Sequence, residues 1–294
     1  MKLTKYEIPE SSKRYYPNNP FIARVVSNQR LTEKESAVDI RNIVLDLSTS
    51  DIQYIEGQSI GVIPPGEQTD GRPHRPRLYS IASSRTGEYG CSLTVTLCVK
   101  RVITKDTEGH EVQGITSNYL CDLAIGDTVA IIGPAGRTFL LPQDDTTNLI
   151  MIAAGTGIAP FRAFIQRIYR DKKDWKGRVR LFYGVRNAME SAYMNRENDD
   201  ISQYMTAETF ESYQAFSHIE SPSKAFVQNK VAENQEEICA MIDEGNFSFY
   251  LCGMKAMEAG VDDVFRNYAS SKGRNWDEIK AKYKDEGRWN VETY

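Results

Sequence analysis

The chain has 294 residues, 40% hydrophobic and 26% charged, which is typical of soluble globular proteins and long enough for two domains. Its net charge of −4 disfavours a nucleic-acid partner, and no apolar run approaches the ~20 residues of a membrane-spanning helix. The N-terminal MKLTKYEIPE lacks the apolar core of a signal peptide. We therefore expect no membrane insertion and an intracellular location, cytoplasmic or inside a plastid or other organelle after removal of a leader.

The first half of the chain, roughly residues 20–142, predicts β-structure. Short segments rich in Val, Ile, Leu and Thr are separated there by turns of Gly, Pro and Asp. The segments are FIARVVSNQRL, RNIVLDL, SIGVIP, RLYSIAS, SLTVTLCVKRV and TVAIIGPAG. Many short strands at close spacing are typical of a closed barrel or a sandwich.

The second half predicts alternating strands and helices. TNLIMIAA is a nearly continuous apolar run, as expected of a parallel strand buried on both faces, and VRLFYGVRN, ESYQAFSH and FSFYLCGM are further predicted strands. Helices are predicted at FRAFIQRIYR, where Pro160 fits the first turn, at AMEAGVDDVFRNYASS and at WDEIKAKYKDEG. The alternation predicts a parallel α/β domain, with the boundary near residues 142–145.

The chain has five cysteines, and their spacing predicts no metal site. They are Cys91, Cys98, Cys121, Cys239 and Cys252. None of the gaps between them matches the short spacings of zinc or iron–sulfur ligands. Because the number is odd and the expected setting is intracellular, a disulfide framework is also disfavoured.

Basic residues concentrate in two loops of the first half. GRPHRPR contains Arg72, Arg75 and Arg77, and VKRVITK contains Lys100, Arg101 and Lys105. Solvated loops of mixed charge are one explanation, and a positive patch for an acidic partner is the other.

The motif AGTGIAP joins the first strand of the second half to its first helix. Glycines at such a turn let the backbone approach a ligand, and the helix N-terminus offers N–H groups and partial positive charge to a phosphate. The motif lacks the third glycine of the full dinucleotide fingerprint, so a tight turn alone is the alternative explanation. Its position after a buried strand favours a phosphate site.

The ends of the next two strands bear on which dinucleotide binds. FYGVRN has Arg186 where NAD-binding domains usually carry an acidic residue. FSHIESPSKAFVQNK offers Ser217, His218, Lys224 and Lys230. Cations and hydroxyls suit the 2′-phosphate of NADP, and the absence of a competing carboxylate in this region favours NADP over NAD.

RLYSIASS, LCVKR, SNYLCDL, AGTGIAPFR, YLCGMKAMEAG and the ending RWNVETY together resemble the plant-type ferredoxin–NADP(+) reductases, in the motif order of that family, from about Asn19 to Tyr294. The resemblance implies a two-domain flavoprotein. An antiparallel β-barrel over residues 1–142 would bind FAD, and a Rossmann-like α/β domain with a parallel sheet, over residues 143–294, would bind NADP(H). The implied oxidoreductase transfers hydride reversibly between NADP(H) and FAD and exchanges single electrons with an acidic carrier, ferredoxin or flavodoxin.

On the FAD side, the resemblance implies that Arg77 contacts the pyrophosphate, Tyr79 the isoalloxazine ring and Ser80 the flavin N5. The other implied FAD contacts are Leu78, Cys98, Val99, Lys100, Ile115, Thr116, Ser117, Thr156 and Tyr294. The terminal Tyr294 would stack on the flavin until nicotinamide displaces it; an aromatic anchor for the tail is the alternative. The tyrosine that commonly packs on the FAD adenine is matched by Thr104, which bears on the tightness of FAD binding.

On the NADP side, the resemblance implies Ser80, Lys100, Thr156, Val185, Arg186, Ser217, His218, Lys224, Phe226, Gln228, Cys252, Gly253 and Glu292. The residues implied at the reacting centre are Ser80, Cys252, Glu292 and Tyr294. His218 replaces the usual arginine of the 2′-phosphate site, and Phe226 replaces the usual tyrosine on the adenine, so both bear on the strength of the NADP preference.

Two alternatives stay open. The first is an NAD(P)H-dependent reductase that serves an oxygenase or another acceptor, with ferredoxin incidental. The second is a dinucleotide-binding or interaction module that has lost its flavin, against which the joint presence of Arg77, Tyr79, Ser80 and Ser117 argues. No function is inferred for the polar segment 187–204.

Overall fold

The computed structural model describes residues 2–10, 12–91, 93–219 and 224–294, and its first half is built on antiparallel strands. The elements are β1 (Phe21–Arg30), β2 (Ile40–Asp46), β3 (Ser59–Ile63), β4 (Arg77–Ser80), β5 (Thr94–Lys100), β6 (Ile103–Lys105), β7 (Glu111–Gln113), α1 (Ile115–Asp122) and β8 (Thr128–Ala135). The main sheet has the order β4-β3-β8-β1-β2-β5, and a bridge between Ile81 and Leu97 joins its two edges. The sheet therefore closes into a barrel, which decides between the two predicted architectures.

The barrel encloses an apolar core. β1 alternates buried and exposed positions through its middle, as a strand with one buried face requires. Its Ala23 and Val25 meet Ile43 from β2 and Leu97 from β5 in this core, and α1 adds Leu120. The hairpin of β6 and β7 and the helix α1 were not among the predicted elements.

The second half is a parallel sheet with helices. Its elements are β9 (Asn148–Ala154), α2 (Ala159–Ile165), β10 (Val179–Val185), β11 (Phe210–Phe216), α3 (Val227–Glu233), α4 (Gln235–Asp243), β12 (Phe247–Gly253), α5 (Lys255–Ser271), α6 (Trp276–Asp285) and β13 (Trp289–Thr293). The strand order is β11-β10-β9-β12-β13, and all four pairings are parallel. β9 and β12 are buried at every position, as their apolar runs predicted. Among the described residues, no helix combines the length and apolar character needed to cross a membrane.

The C-terminal residues form an edge strand that pairs with β12. The Trp289 ring stacks on Phe249 with centroids 3.6 Å apart and meets Trp276 edge-on at 5.2 Å. These contacts anchor β13, so the last residue reaches the carboxyl edge of the sheet, where the backbone N–H of Tyr294 donates to the Gly253 carbonyl at 3.1 Å.

The two halves meet at an interface around a buried arginine. Arg162 lies on α2 and is only 4% exposed. It donates to both carboxylate oxygens of Glu88 at 2.8 Å and to the Ala82 carbonyl at 2.9 Å, all in the first half. Within the second half it donates to Asp200 at 2.5 Å. A buried charge with this many partners fixes the groups around it relative to one another.

The segment 187–204, for which no function was inferred from the sequence, completes this interface. The Tyr193 ring lies 4.5 Å from the Arg162 guanidinium, and the Tyr193 hydroxyl donates to Asn42 of β2 at 2.7 Å. The Asn195 side chain donates to the Leu31 carbonyl at 2.7 Å. The segment therefore ties the second half to the barrel.

The connection between the two sheets runs from the end of β8 to the start of β9. The boundary expected after residue 142 falls within it and stays a prediction. Residues near the N-terminus contact both halves: the Tyr6 N–H donates to the Leu141 carbonyl at 3.0 Å, and the Lys5 ammonium donates to Asn290 of β13 at 2.6 Å.

Candidate functional site

A cavity of about 1070 Å3 opens between the barrel and the carboxyl edge of the parallel sheet. The barrel contributes β4, β5 and α1, and the second half contributes the turn after β9, the end of β12 and the C-terminus. The predicted residues that line it are Arg77, Leu78, Tyr79, Ser80, Cys98, Lys100, Ile115, Thr116, Ser117, Thr156, Cys252 and Tyr294. The fold thus brings together residues from both halves that are far apart in the sequence.

Large apolar side chains stay exposed in this cavity. Leu78 is 64% exposed, Ile115 57% and Tyr294 67%. Tyr79 also lines the cavity, and burial raises the pKa of its hydroxyl to about 12, so the ring is neutral. Apolar surface displayed in a concave site is typical of cofactor and ligand pockets. The flat rings of FAD fit this surface.

The N-terminus of α1 gives the cavity an edge suited to phosphate. Residues 114–117 line the cavity, and the first turn of α1 has neither an acidic residue nor a side-chain cap. The Ser117 hydroxyl donates to the Gly114 carbonyl at 3.2 Å and accepts from the Val102 N–H at 3.2 Å, which holds this turn in place. Main-chain N–H groups at a helix N-terminus bind phosphate, and Arg77 adds a guanidinium to the cavity. This donor set fits the FAD pyrophosphate.

The turn after β9 and the end of β12 touch backbone to backbone. A Cβ added at Gly157 would lie 2.0 Å from the Cys252 carbonyl oxygen, so the approach requires glycine. Gly253 has a φ of 150°, and a Cβ there would lie 3.0 Å from Ala154. The predicted AGTGIAP turn therefore packs closely against β12, and Thr156 of this turn lines the same cavity as Cys252.

The terminal tyrosine is held by its hydroxyl and displays its ring. The Tyr294 hydroxyl lies 2.9 Å from the Thr156 Oγ1 and donates to the Ala154 carbonyl at 3.3 Å. Burial raises the pKa of this hydroxyl to about 12. Because the ring itself is exposed to the cavity, the arrangement suits a side chain that covers a flat cofactor. Trp289 anchors the tail to the core, and the covering role of Tyr294 stays a prediction.

Two titratable residues lie side by side on β12 and β13 at the edge of the site. Cys252 and Glu292 are partners in the strand register. Burial raises the pKa of the Glu292 carboxyl to about 7, which makes it able to exchange a proton near neutrality. Burial, with a contribution from Glu292, raises the pKa of the Cys252 thiol well above its ordinary value. Cys252 is therefore a neutral thiol and not a thiolate nucleophile.

Main-chain hydrogen bonds gather the predicted 2′-phosphate residues at the ends of β10 and β11. The Ser217 N–H donates to the Val185 carbonyl at 3.0 Å, and the His218 N–H donates to the Arg186 carbonyl at 2.7 Å. The Ala225 N–H donates to the Phe216 carbonyl at 2.9 Å, which returns Lys224 and Phe226 to the same edge. Residues 220–223 of the motif between them lie outside the described residues.

Two further contacts shape this edge. The Ser217 hydroxyl lies 3.1 Å from the His218 Nδ1. Phe226 is 51% exposed, and the Lys224 ammonium lies 5.9 Å from its ring centroid. A partly exposed aromatic ring beside a cation offers an adenine both a stacking face and a positive neighbour.

The structure corrects one argument for NADP. No competing carboxylate was expected near Arg186, but Glu190 accepts from the Arg186 guanidinium at 2.8–3.0 Å. The spacing Arg-x-x-x-Glu was the available signal, since a turn over Ala188–Glu190 brings the two side chains together. Lys230 also has an acidic partner, because it lies 2.7 Å from Glu233.

Two predicted contacts, and the residue that matches the adenine-packing tyrosine, differ from a simple lining role. The Val99 side chain is fully buried in the barrel core, so only its backbone is available to a ligand. Gln228 packs against α5, where a Cβ on Gly260 would lie 3.0 Å from its side chain. The Thr104 hydroxyl donates across the β6–β7 hairpin to the Val112 carbonyl at 3.3 Å.

The basic loops contribute unequally to a positive surface. Arg101 donates to Asp39 at 3.0 Å and to Asp122 at 2.8 Å, so acidic partners compensate its charge. Arg75 and Lys100 are exposed and lie at the cavity. A surface for an acidic partner therefore depends on these two residues more than on Arg101.

Comparisons with known proteins agree with this architecture. A family model for an oxidoreductase FAD-binding domain matches residues 28–139, and one for an oxidoreductase NAD-binding domain matches residues 151–263. The ferredoxin–NADP reductase of Synechocystis sp. is 39% identical over 289 residues, which cover 95% of this chain and 69% of the relative. Leaf isozyme 1 of the chloroplastic ferredoxin–NADP reductase of Oryza sativa subsp. indica is 38% identical over 96% of this chain and 79% of the relative.

A solved structure has the same fold over both halves. The ferredoxin–NADP+ reductase from Plasmodium falciparum superposes with a TM-score of 0.76 at 25% identity, over 95% of this chain and 98% of that one. Taken with the sequence relatives, which extend over both the barrel and the parallel sheet, this chain belongs to the ferredoxin–NADP reductase family.

Proposed function

We propose that this protein is an FAD-dependent ferredoxin–NADP(+) reductase, in which hydride passes reversibly between NADP(H) and FAD and single electrons pass to or from ferredoxin. The observation that carries the proposal is the cavity between the two halves, where Tyr79 and Ser80 of the barrel and Cys252 and Tyr294 of the second half line the same space. FAD, when bound, supplies the conversion between two-electron and one-electron transfer.

The barrel would hold FAD at its pyrophosphate and at its flavin rings. Arg77 and the N–H groups at the start of α1 bind the pyrophosphate, because both place positive charge in the cavity. Tyr79 and Leu78 supply apolar surface to the rings. Lys100 adds a cation that serves either cofactor, since it lies in the same cavity.

The second half would bring the nicotinamide to the flavin. Thr156 and the N–H groups of its turn bind the nucleotide pyrophosphate, and Cys252 with Gly253 provides a small, neutral surface for the nicotinamide. Tyr294 would cover the same place when no nucleotide is bound, so that its ring would keep water from the flavin and the nicotinamide would have to displace it.

Ser80 and Glu292 would handle the proton. With FAD bound, the Ser80 hydroxyl would be placed to hold the reacting end of the flavin and to offer a route for a proton. The Glu292 carboxyl, whose pKa is raised to about 7 by burial, takes up or releases that proton toward solvent. Both residues therefore act without being consumed.

Ferredoxin, or flavodoxin in its place, would dock on the barrel side of the cavity. Arg75 and Lys100 offer exposed positive charge there to an acidic carrier. A carrier docked at this face would lie beside the flavin site.

A second candidate is an NAD(P)H-dependent reductase that serves an oxygenase or another acceptor. The observation that favours it is the Arg186–Glu190 pair, which compensates a charge that a 2′-phosphate would otherwise use. His218 in the same site adds full positive charge only when it is protonated.

The experiment that tests the proposal is stopped-flow reduction of the FAD-containing protein by NADPH and by NADH, followed at about 450 nm, where oxidised flavin absorbs. Ferredoxin and a small dye are then compared as acceptors. Faster reduction by NADPH and efficient turnover of ferredoxin are expected. Equal rates with both nucleotides and no preference for ferredoxin would favour the second candidate, and a protein that binds no flavin would remove both.

A further inference from the structure

A guanidinium and a carboxylate are paired at the end of β10. The Arg186 Nε lies 3.0 Å from Glu190 Oε1 and 2.9 Å from Oε2, and a second guanidinium nitrogen lies 2.8 Å from Oε1. The Asn187 side chain also donates to Oε1 at 3.2 Å. Glu190 is only 7% exposed, whereas the Arg186 side chain is 46% exposed. A buried carboxylate is thus paired with an arginine whose side chain is half-exposed.

This pair lies beside the candidate 2′-phosphate site. The His218 N–H donates to the Arg186 carbonyl, and the Ser217 N–H donates to the Val185 carbonyl. The Arg186–Glu190 pair therefore shares one edge of the sheet with Ser217 and His218. Lys224 supplies a further cation at that edge. The position of the pair makes its net charge relevant to any phosphate bound there.

Charge balance gives the direction of the effect. A phosphate monoester carries about −1.5 to −2 charges near neutral pH. Arg186 alone would attract it, but Glu190 places an opposite charge within 3.0 Å of the same guanidinium. Because Coulomb energy falls only as the inverse of distance, a phosphate that reaches Arg186 is also repelled by Glu190.

We propose that Glu190 is a specificity-determining residue: it compensates the charge of Arg186 and thereby weakens the discrimination between NADPH and NADH. This inference rests on the proposed function, since it assumes that the nucleotide binds at the ends of β10 and β11.

The test is Glu190→Gln in the FAD-containing protein. The amide keeps the size of the side chain and one acceptor for Arg186, but removes the negative charge. The dissociation constant of 2′,5′-ADP is expected to fall about tenfold, and the ratio of kcat/KM for NADPH over NADH to rise by a similar factor, as for one gained charge-assisted contact. Binding of 5′-AMP, which lacks the 2′-phosphate, is expected to stay unchanged. The gain should shrink at high ionic strength.

Two further variants identify the cause. Glu237→Gln removes the same charge from a glutamate that lies 2.7 Å from Arg180, near the start of β10 and away from Arg186, and should leave 2′,5′-ADP binding unchanged. The double variant Arg186→Gln with Glu190→Gln removes both charges of the pair, so it should bind 2′,5′-ADP no more tightly than the wild type does. Tighter binding than the wild type in the double variant would overturn the inference.

The remaining outcomes separate this inference from the proposed function. Unchanged or weaker binding of 2′,5′-ADP in Glu190→Gln would overturn it, and weaker binding would mean that Glu190 orients Arg186 for the phosphate. If Lys224→Ala still weakens 2′,5′-ADP binding, the proposed nucleotide site stands while the role of Glu190 fails. If neither variant nor the wild type distinguishes 2′,5′-ADP from 5′-AMP, the proposed site fails and this inference fails with it.

Discussion

The flavin side and the nucleotide side of the site are built differently. On the flavin side, main-chain elements set the geometry: α1 presents its N-terminus to the cavity, and the Ser117 hydroxyl ties its first turn to the Gly114 carbonyl and the Val102 N–H. On the nucleotide side, exposed side chains such as Phe226 supply the contacts, and Arg186 is already paired with Glu190. Geometry made by backbone tolerates changes in neighbouring side chains. Recognition made by paired surface charges can be altered by a single residue.

The largest effect is expected at the flavin side, from Ser80→Ala. Ser80 lines the same cavity as Cys252 and Tyr294, and the substitution removes only its hydroxyl. The rate of hydride transfer from NADPH, measured in single turnover, should fall on the order of a hundredfold, as for loss of a positioned proton donor. FAD should remain bound, because Arg77 and α1 are unchanged.

Ser59→Ala is the matched control for this prediction. Ser59 is the register partner of Ser80 in the neighbouring strand β3, and its removal should leave the rate within about twofold, as for a surface change. An unchanged single-turnover rate in Ser80→Ala would show that the hydroxyl does not act at the reacting atoms. Loss of FAD from Ser80→Ala would instead assign it a binding role.

The next effect tests whether the two sides are held together by Arg162. Burial alone would raise the pKa of the Glu88 carboxyl, but hydrogen bonds and charge from Arg162 outweigh it and hold the pKa below its usual range. Arg162→Met leaves this carboxylate buried without its cation, so the unfolding free energy should fall by about 3 kcal/mol. Urea unfolding measures it, and Glu88→Gln in addition should recover part of the loss.

Arg266→Met is the control for the buried pair. Arg266 and Asp277 form an exposed ion pair, with side chains 42% and 68% exposed, so its loss should cost far less stability than the loss of the buried pair. Equal losses in Arg162→Met and Arg266→Met would contradict the view that the interface depends on a buried charge.

The same contrast explains what could be predicted from the sequence. Apolar runs such as TNLIMIAA predicted the buried strands, because burial on both faces leaves a local pattern. β13 was missed, since Trp289 packs on residues distant in the chain. Arg162 and Tyr193 form their contacts only once the two halves meet. Long-range pairing of polar side chains has no local periodicity. Glu190 was overlooked for a different reason: its pairing with Arg186 is local, but it depends on the turn over Ala188–Glu190, which was not predicted.

A smaller, pH-dependent effect is expected at Glu292, on the edge strand β13 beside Cys252. The folded protein keeps the carboxyl proton up to about pH 7, whereas the ordinary pKa is 4.5. Between these values the folded state binds more protons than the unfolded state, so stability falls as pH rises. Glu292→Gln has no carboxyl group at this position to ionise, so it does not lose this stability as pH rises. The difference between its unfolding free energy and that of the wild type should therefore shift in favour of the variant by about 2 kcal/mol from pH 4.5 to pH 8.

Glu278→Gln provides the reference for this pH series. Glu278 is exposed on α6, and its removal should give the same pH dependence as the wild type. A difference between Glu292→Gln and wild type that does not change with pH would mean that Glu292 ionises normally in the folded protein.

The smallest effect is expected at Tyr294, which belongs to both sides. If the ring must leave before nicotinamide can enter, its hydroxyl bonds to Thr156 and Ala154 oppose nucleotide binding. Tyr294→Phe keeps the ring and removes these bonds, so the dissociation constant of NADP+ should fall about fivefold, the worth of a typical hydrogen bond. Tyr16→Phe, at an exposed position far along the chain, should change nothing. Weaker NADP+ binding in Tyr294→Phe would mean that the hydroxyl supports the bound nucleotide, and that the ring is not what the nucleotide displaces.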